Sequence, residues 1–230
     1  MINLNKLKKI DLLWLYNHRC IQHKRRYIFN HLNCFEREVG KIPKQKILFY
    51  DIETEDLKAD YGIMFSWCII DNDTGRIYFD SINKEDIRKW KSDAKEDKRI
   101  VKSFINTVKQ LRGDRLIGHY SSRFDSEFIR TRAVICKIDF PTYGELYQSD
   151  TWNILRKKFA LSRNSLENST HKLIGKTRKN HLSLKLKHGC LRGEKWAIDY
   201  TINHNIRDVK DTRDLWHSIE NYANITNTSI

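Results

Sequence analysis

From Ile47 the chain reads Ile-Leu-Phe-Tyr, four apolar, β-prone residues in a row. That is the pattern of a strand buried on both faces. Residues 62–70 and 76–82 read as the next two strands. Between them, Asp71-Asn72-Asp73-Thr74-Gly75 offers Asn and Gly for the positive-φ positions of a tight turn, which predicts a hairpin. Ile100, Val101, Phe104, Val108 and Leu111 fall at helical spacing within residues 95–112, and Gly113 ends that helix before a short strand at 115–118. Further helices are expected at 126–136, 151–159 and 165–174. The last stretch, 195–222, reads as one long helix, with Ile198, Ile202, Ile206, Val209, Trp216 and Ile219 as its core-facing stripe. Strands first, then helix and strand, predict an α/β fold with a mixed central sheet flanked by helices.

The chain before Ile47 follows a different pattern. Leu7, Ile10, Leu13 and Trp14 repeat with helical spacing, and Gly40 and Pro43 punctuate the end of the segment. A boundary near residue 44 is expected, giving a basic N-terminal segment, 1–44, and a main domain, 45–230. Charge sharpens the division. The chain has 43 Lys and Arg against 29 Asp and Glu, a net charge of +14, and the first 46 residues hold 11 of the basic and 3 of the acidic residues. A field of that sign draws polyanions, so nucleic acid is the expected partner. With 40% hydrophobic residues among 230, the chain can bury a core, which excludes disorder as the main state. No apolar run reaches the ~20 residues of a membrane span. Asp11 splits the segment after Lys6, Lys8 and Lys9, which speaks against a signal peptide, so a cytoplasmic location is expected. Five cysteines without an export signal read as thiols or metal ligands, not as a disulfide framework.

The candidate chemistry lies in acids. Asp51 and Glu53 stand at i and i+2 near the end of the first apolar strand, so both project from one face. Two like charges so placed are costly unless a cation neutralises them, and oxygen-only ligation suits Mg2+ or Mn2+. Taken alone, the pair also fits a strand ending in a polar loop. Asp125 follows Phe124 at the opening of a helix, where a capping role would explain it equally well. His204 and Asp208 stand four apart on the last helix and share a face, an arrangement common on helix surfaces.

Together, Asp-x-Glu on a first strand, Phe-Asp at mid-chain and His-x-x-x-Asp on a late helix resemble the DEDD exonuclease superfamily, over about residues 45–222. The stretches 150–155 and 161–175 are similar to proofreading exonuclease domains of family B DNA polymerases and to phage-type nucleases. The resemblance implies a ribonuclease H-like fold, with Asp51, Glu53, Asp125 and Asp208 holding two divalent ions and His204 orienting or deprotonating the attacking water. It also implies release of nucleoside 5′-monophosphates from a 3′ end. Two positions depart from the family pattern. His204 stands at the spacing that usually carries Tyr, and Tyr120 stands where Asn is frequent. Asp211, almost one turn beyond Asp208, is a weaker ligand candidate.

Two Cys/His pairs stand in the basic segment, Cys20-x-x-His23 and His31-x-x-Cys34, a ligand set able to close a tetrahedral Zn2+ site. The intervening run also reads as a basic amphipathic helix in which these side chains merely pack. Lys24, Arg25 and Arg26 beside Tyr27 and Phe29 offer phosphate contacts and stacking for unpaired bases. Tyr120, Phe124 and Lys176 are expected along the strand-entry path, and Cys68, Cys136 and Cys190 read as packing residues. The expected function is a metal-dependent 3′-to-5′ exonuclease acting on single-stranded DNA. A structure-dependent endonuclease, an RNA-trimming nuclease and a non-catalytic nucleic-acid-binding protein are the alternatives.

Overall fold

The computed structural model describes residues 7–18, 31–40, 45–90, 95–176, 183–223 and 228–230. It divides into two compact units, Met1–Gln45 and Lys46–Ile230. In the first, two short helices are described, α1 (Lys9–Asn17) and α2 (Leu32–Glu38). Asp11, in the first turn of α1, accepts a hydrogen bond from the Lys8 backbone N–H at 3.0 Å, satisfying one of the donors a helix start leaves open. Among the described residues of this unit, Leu15 and Phe35 form a buried apolar cluster, with Leu7, Trp14 and Leu32 packed against them.

The second unit is built on a sheet of β1 (Ile47–Thr54), β2 (Met64–Asp71), β3 (Ile77–Ser81), β4 (Arg115–Gly118) and β5 (Tyr147–Asp150). Among the described residues it is five-stranded, in the order β3-β2-β1-β4-β5. β1 pairs antiparallel with β2 and parallel with β4, so it runs through the middle of a mixed sheet. The central position explains its unbroken apolar start, since Leu48, Phe49 and Tyr50 are all fully buried. β2 is buried along its whole length. The strand expected to begin at 62 begins at Met64, because Gly62 lies in the preceding loop against Asp56, where a Cβ would come within 2.8 Å of the Asp56 side chain.

The two faces of the sheet differ. On one, Leu48, Tyr50, Trp67 and Ile69 pack against α4 (Lys98–Gln110) and α5 (Asp125–Ile135). There the Trp67 indole N–H donates to the Ile100 carbonyl at 3.0 Å. A buried ion pair locks this side. Arg132 on α5 donates to both Asp97 carboxylate oxygens, at 2.8 and 2.7 Å, and to the Ala59 carbonyl at 3.0 Å. Asp97 also accepts from the Met64 N–H at 2.9 Å. The pair thus ties together α4, α5, the start of β2 and the loop that leaves β1.

The other face, carrying Phe49, Asp51 and Glu53, is covered by the long helix α9 (Lys195–Ile219). Here the apolar-stripe expectation needs correction. Val209, Trp216 and Ile219 are buried, but Ile198, Ile202 and Ile206 are only partly so. In that half of the helix Ala197, Thr201 and Asn205 are the buried residues. Ala197 lies against Gly189 and the Thr201 hydroxyl meets the Cys190 sulfur at 3.4 Å, so these small side chains let the preceding part of the chain, 184–191, pack closely, while Asn205 reaches β1 at Asp51. Three further elements lay outside the sequence expectations: β5, α3 (Lys84–Trp90) and α8 (Leu184–Leu191). The helices α6 (Thr151–Lys158) and α7 (Leu166–Ile174) fall where periodicity placed them. No helix among the described residues is long and apolar enough to cross a membrane.

Candidate active site

Asp51 and Glu53 leave the same face of β1, opposite Cys68 and Ser66 of β2. Asp125 reaches them from the other side of the strand's end. It is the first residue of α5, and instead of capping its own helix its Oδ1 accepts from the Ile52 N–H at 3.1 Å. The turn between β4 and α5 sets this position. Gly118 passes so close to Ser121 that a Cβ would come within 2.4 Å of its side chain, and Tyr120 takes a left-handed φ of 61°. Asp150 at the end of β5 holds the turn, accepting from the N–H groups of Tyr120 at 2.8 Å and Ser122 at 3.0 Å and from the Ser122 hydroxyl at 2.6 Å.

α9 brings the remaining groups. His204 Nε2 lies 3.4 Å from Glu53 Oε1 and 3.6 Å from Asp208 Oδ2. Glu53, His204 and Asp208 thereby form a cluster whose ligand atoms lie within 4.8 Å of one another. Asn205, the next residue, donates to Asp51 Oδ2 at 2.6 Å. All the acids and the histidine named from sequence thus converge at one end of β1.

The electrostatics follow from this crowding. Burial, and then the charges of Asp125, Glu53 and Asp208, hold the Asp51 carboxyl well above the usual carboxylate range. Burial with the charges of Asp208 and Asp125 does the same to Glu53, and Lys187 on α8 opposes it. Asp125 is pushed up to about 7 by burial, despite the bond from Ile52, and Asp208 to about 7 by burial and then Asp211. Asp211 acts on Asp208 in this way but is itself buried. Four carboxyls that resist ionising together are a site prepared for added positive charge. The cluster, carboxylates with the His204 imidazole beside them, fits a divalent cation, with Asp51, Glu53, Asp125 and Asp208 as the residues that would hold it.

The residues expected to touch nucleic acid are divided. Lys24, Arg25 and Arg26 lie outside the described residues, as do Cys20 and His23. Tyr120 is 43% exposed and meets Trp152 edge-on at 5.1 Å. Arg123 and Arg156 stand with their guanidinium carbons 5.4 Å from the centre of the Trp152 ring. Phe124 is partly buried and packs beside Phe128, so it is tied to the core more than to the surface. Lys176 is half-exposed and paired with Asp214 on α9 at 2.8 Å. Sequence reasoning missed Asn205, did not single out Asp150 and Trp152 within the 150–155 stretch, and expected Lys187 only as part of a basic stretch, 176–187, flanking the strand-entry path. Lys187 donates to the Glu55 carbonyl at 2.8 Å, which anchors it beside the acids. A cleft of about 330 Å³ lined by Ser122, Gln148, Asp150, Asn153 and Lys157 lies next to Asp150, and none of the four acids lines it.

The family model of the RNase_H superfamily matches residues 48–220. The chain belongs to the RNase_H superfamily. The structure is similar to that of the family B DNA polymerase from the hyperthermophilic archaeon Pyrobaculum calidifontis, with a TM-score of 0.61 and 17% identity, over 80% of this chain and 25% of the polymerase. The chain thus spans about a quarter of that polymerase's length, and at this identity the likeness shows the fold. No curated protein matches the sequence. The expected ribonuclease H-like fold and the resemblance to family B polymerases are borne out. Within the RNase_H superfamily frame, the acids sit at the end of the central strand and on the helix that crosses it.

Proposed function

We propose that this chain is a divalent-metal-dependent 3′-to-5′ exonuclease that releases nucleoside 5′-monophosphates from single-stranded DNA. Membership of the RNase_H superfamily supports a nuclease. The observation that carries the finer reading is the convergence of Asp51, Glu53, Asp125 and Asp208, from three separate elements, into one buried and mutually repelling cluster. When bound, the ions supply a nucleophilic water and neutralise charge at the scissile phosphate. The chain's own residues do the remainder. Asn205 fixes the Asp51 carboxylate, and the Ile52 N–H fixes that of Asp125, so two of the acids are oriented before any ion arrives. His204, between Glu53 and Asp208, is placed to take a proton from the attacking water.

Trp152 with Tyr120 and the two arginines provides a stacking and phosphate-binding surface for an unpaired strand. Its tolerance of any base suits a nuclease without sequence preference. Cys68, Cys136 and Cys190 are buried free thiols, which suits a reducing compartment, and a cytoplasmic place of action is part of the proposal.

Matched DNA and RNA single strands, labelled at either end, and circular single strands test it in Mg2+ and in chelator. The expected result is a ladder of one-nucleotide steps from the 3′ end of linear DNA, with circles intact and no reaction in chelator. Cleavage of circles would establish an endonuclease, faster loss of RNA would reverse the substrate assignment, and binding without cleavage would leave a non-catalytic protein.

A further inference from the structure

We propose that His18, His31 and Cys34 form a structural zinc site in the N-terminal unit, a site independent of the nuclease reading. One ring nitrogen from each histidine and the Cys34 sulfur lie within 4.8 Å of one another. The local structure delivers them together. His18 follows the last residue of α1, His31 precedes the first residue of α2, and Cys34 sits in the first turn of α2. His31 and Cys34 are each 2% exposed, and the His18 side chain is 12% exposed. Imidazole nitrogen with thiolate sulfur is the donor set of Zn2+, and it separates this site from the oxygen cluster of the main unit.

The orientation of His18 is the second observation. Its ring stacks on Trp14 at 4.1 Å, and its Nδ1 faces Glu38 Oε2 at 3.9 Å. This leaves Nε2, which is buried and has no hydrogen-bond partner. A carboxylate behind one ring nitrogen, with the other nitrogen turned to a shared centre, is how metal-binding histidines are held. The His31 ring stands 5.0 Å away, nearly perpendicular at 75°.

The third observation is the neighbouring core: among the described residues, the two short helices share an apolar cluster of Leu15 and Phe35, with Leu7, Trp14 and Leu32 packed against it. In a unit of this kind the free energy of metal binding becomes free energy of folding. The ligand set read from spacing paired His31 and Cys34 with Cys20 and His23. Cys20 and His23 lie outside the described residues, and the described geometry brings in His18. Three protein ligands leave one tetrahedral position for a further donor.

Cobalt(II), a spectroscopic substitute for zinc, tests the proposal on the full-length chain stripped of zinc. A thiolate ligand gives a near-ultraviolet sulfur-to-cobalt absorption that the carboxylates of the main unit cannot give. The expected result is a band that saturates at one cobalt per chain, is displaced by one equivalent of Zn2+, persists in Cys68→Ser and is lost in Cys34→Ser. Because a Cys34→Ser chain that fails to fold would also lose the band, wild-type protein is the deciding arm. There, absence of the band or its indifference to zinc overturns the proposal. A band of unchanged affinity in Cys34→Ser, or one lost in Cys68→Ser, overturns it equally. Glu38→Gln, which keeps the ligands and removes the carboxylate behind His18, should lower zinc affinity about tenfold.

Discussion

The two ligand clusters of this chain are made of opposite materials and stand in opposite relation to their surroundings. The acids of the main unit are oxygen donors on a scaffold that exists without them: a buried sheet, a face of α4 and α5, and the locked Asp97–Arg132 pair. The scaffold can therefore hold carboxyls where they repel. In the N-terminal unit the His18, His31 and Cys34 cluster draws its proposed ligands from the end of α1 and the start of α2, and among the described residues the apolar cluster that the helices share is Leu15 and Phe35 with Leu7, Trp14 and Leu32. On a large core, charge repulsion can be stored for chemistry. In the N-terminal unit, the proposed metal would tie the two helices together directly. Ion removal should then cost folding in the N-terminal unit, whereas in the main unit it should cost activity and, above about pH 7, only part of the stability.

The largest effect that tests this contrast is on chemistry. Asp51→Asn should lower hydrolysis about 10,000-fold, or about 5.5 kcal/mol of barrier, with single-strand binding and zinc content unchanged. Single-turnover cleavage and filter binding measure the two halves, and a loss below tenfold would detach the cluster from the reaction. Next comes the scaffold itself. Asp97→Ala leaves the Arg132 guanidinium buried without its carboxylate and should destabilise the main unit by about 4 kcal/mol, read by urea unfolding. A cost under about 1 kcal/mol would mean that this pair does not hold the sheet's helical face.

The pH dependence is smaller and has a definite sign. Folded carboxyls raised to about 7 at Asp125 and Asp208 keep protons that the unfolded chain has already released above its ordinary values near 4. In chelator, the stability these protonated groups contribute is therefore complete below about pH 4 and is lost as pH rises through about 7. Mg2+ should flatten this decline, and Asp208→Asn should recover about 2 kcal/mol at pH 8 without metal, measured by thermal unfolding. A flat profile in chelator would contradict the crowding described here. The smallest effect is at the stacking surface, where Trp152→Ala should weaken single-strand binding by about 1–2 kcal/mol and leave the chemical step of bound substrate nearly unchanged.

How much of this was legible in sequence follows from what each residue faces. β1 and β2 were readable because central strands are apolar on both sides. β5, Tyr-Gln-Ser-Asp, was not, because its side chains bind polar groups of neighbouring elements: Gln148 accepts from Ser126 of α5, and Asp150 gathers the Tyr120 turn. The face of α9 was misread for a related reason. An apolar stripe was sought, but the helix buries Ala197 and Thr201 against α8 and Asn205 against Asp51, residues that periodicity counts as neutral or polar. Asp51, Glu53, Asp125 and Asp208 stood out because charges next to apolar runs are conspicuous. Asn205 did not, and Lys187 was read only as one charge of a basic stretch, since a single polar residue on a helix carries no signal until its neighbour in space is known. In the same way His31 and Cys34 were marked by their spacing, whereas His18 joins them only through the return of the chain between helices.

Manganese binding tests the central claim most directly. Calorimetric titration of the wild-type chain with Mn2+ should show binding that is lost in both Asp51→Asn and Asp208→Asn, residues 157 positions apart on β1 and α9, and retained in Cys34→Ser. Binding that survives unchanged in either acid variant would mean that the carboxylates of β1 and α9 do not share an ion.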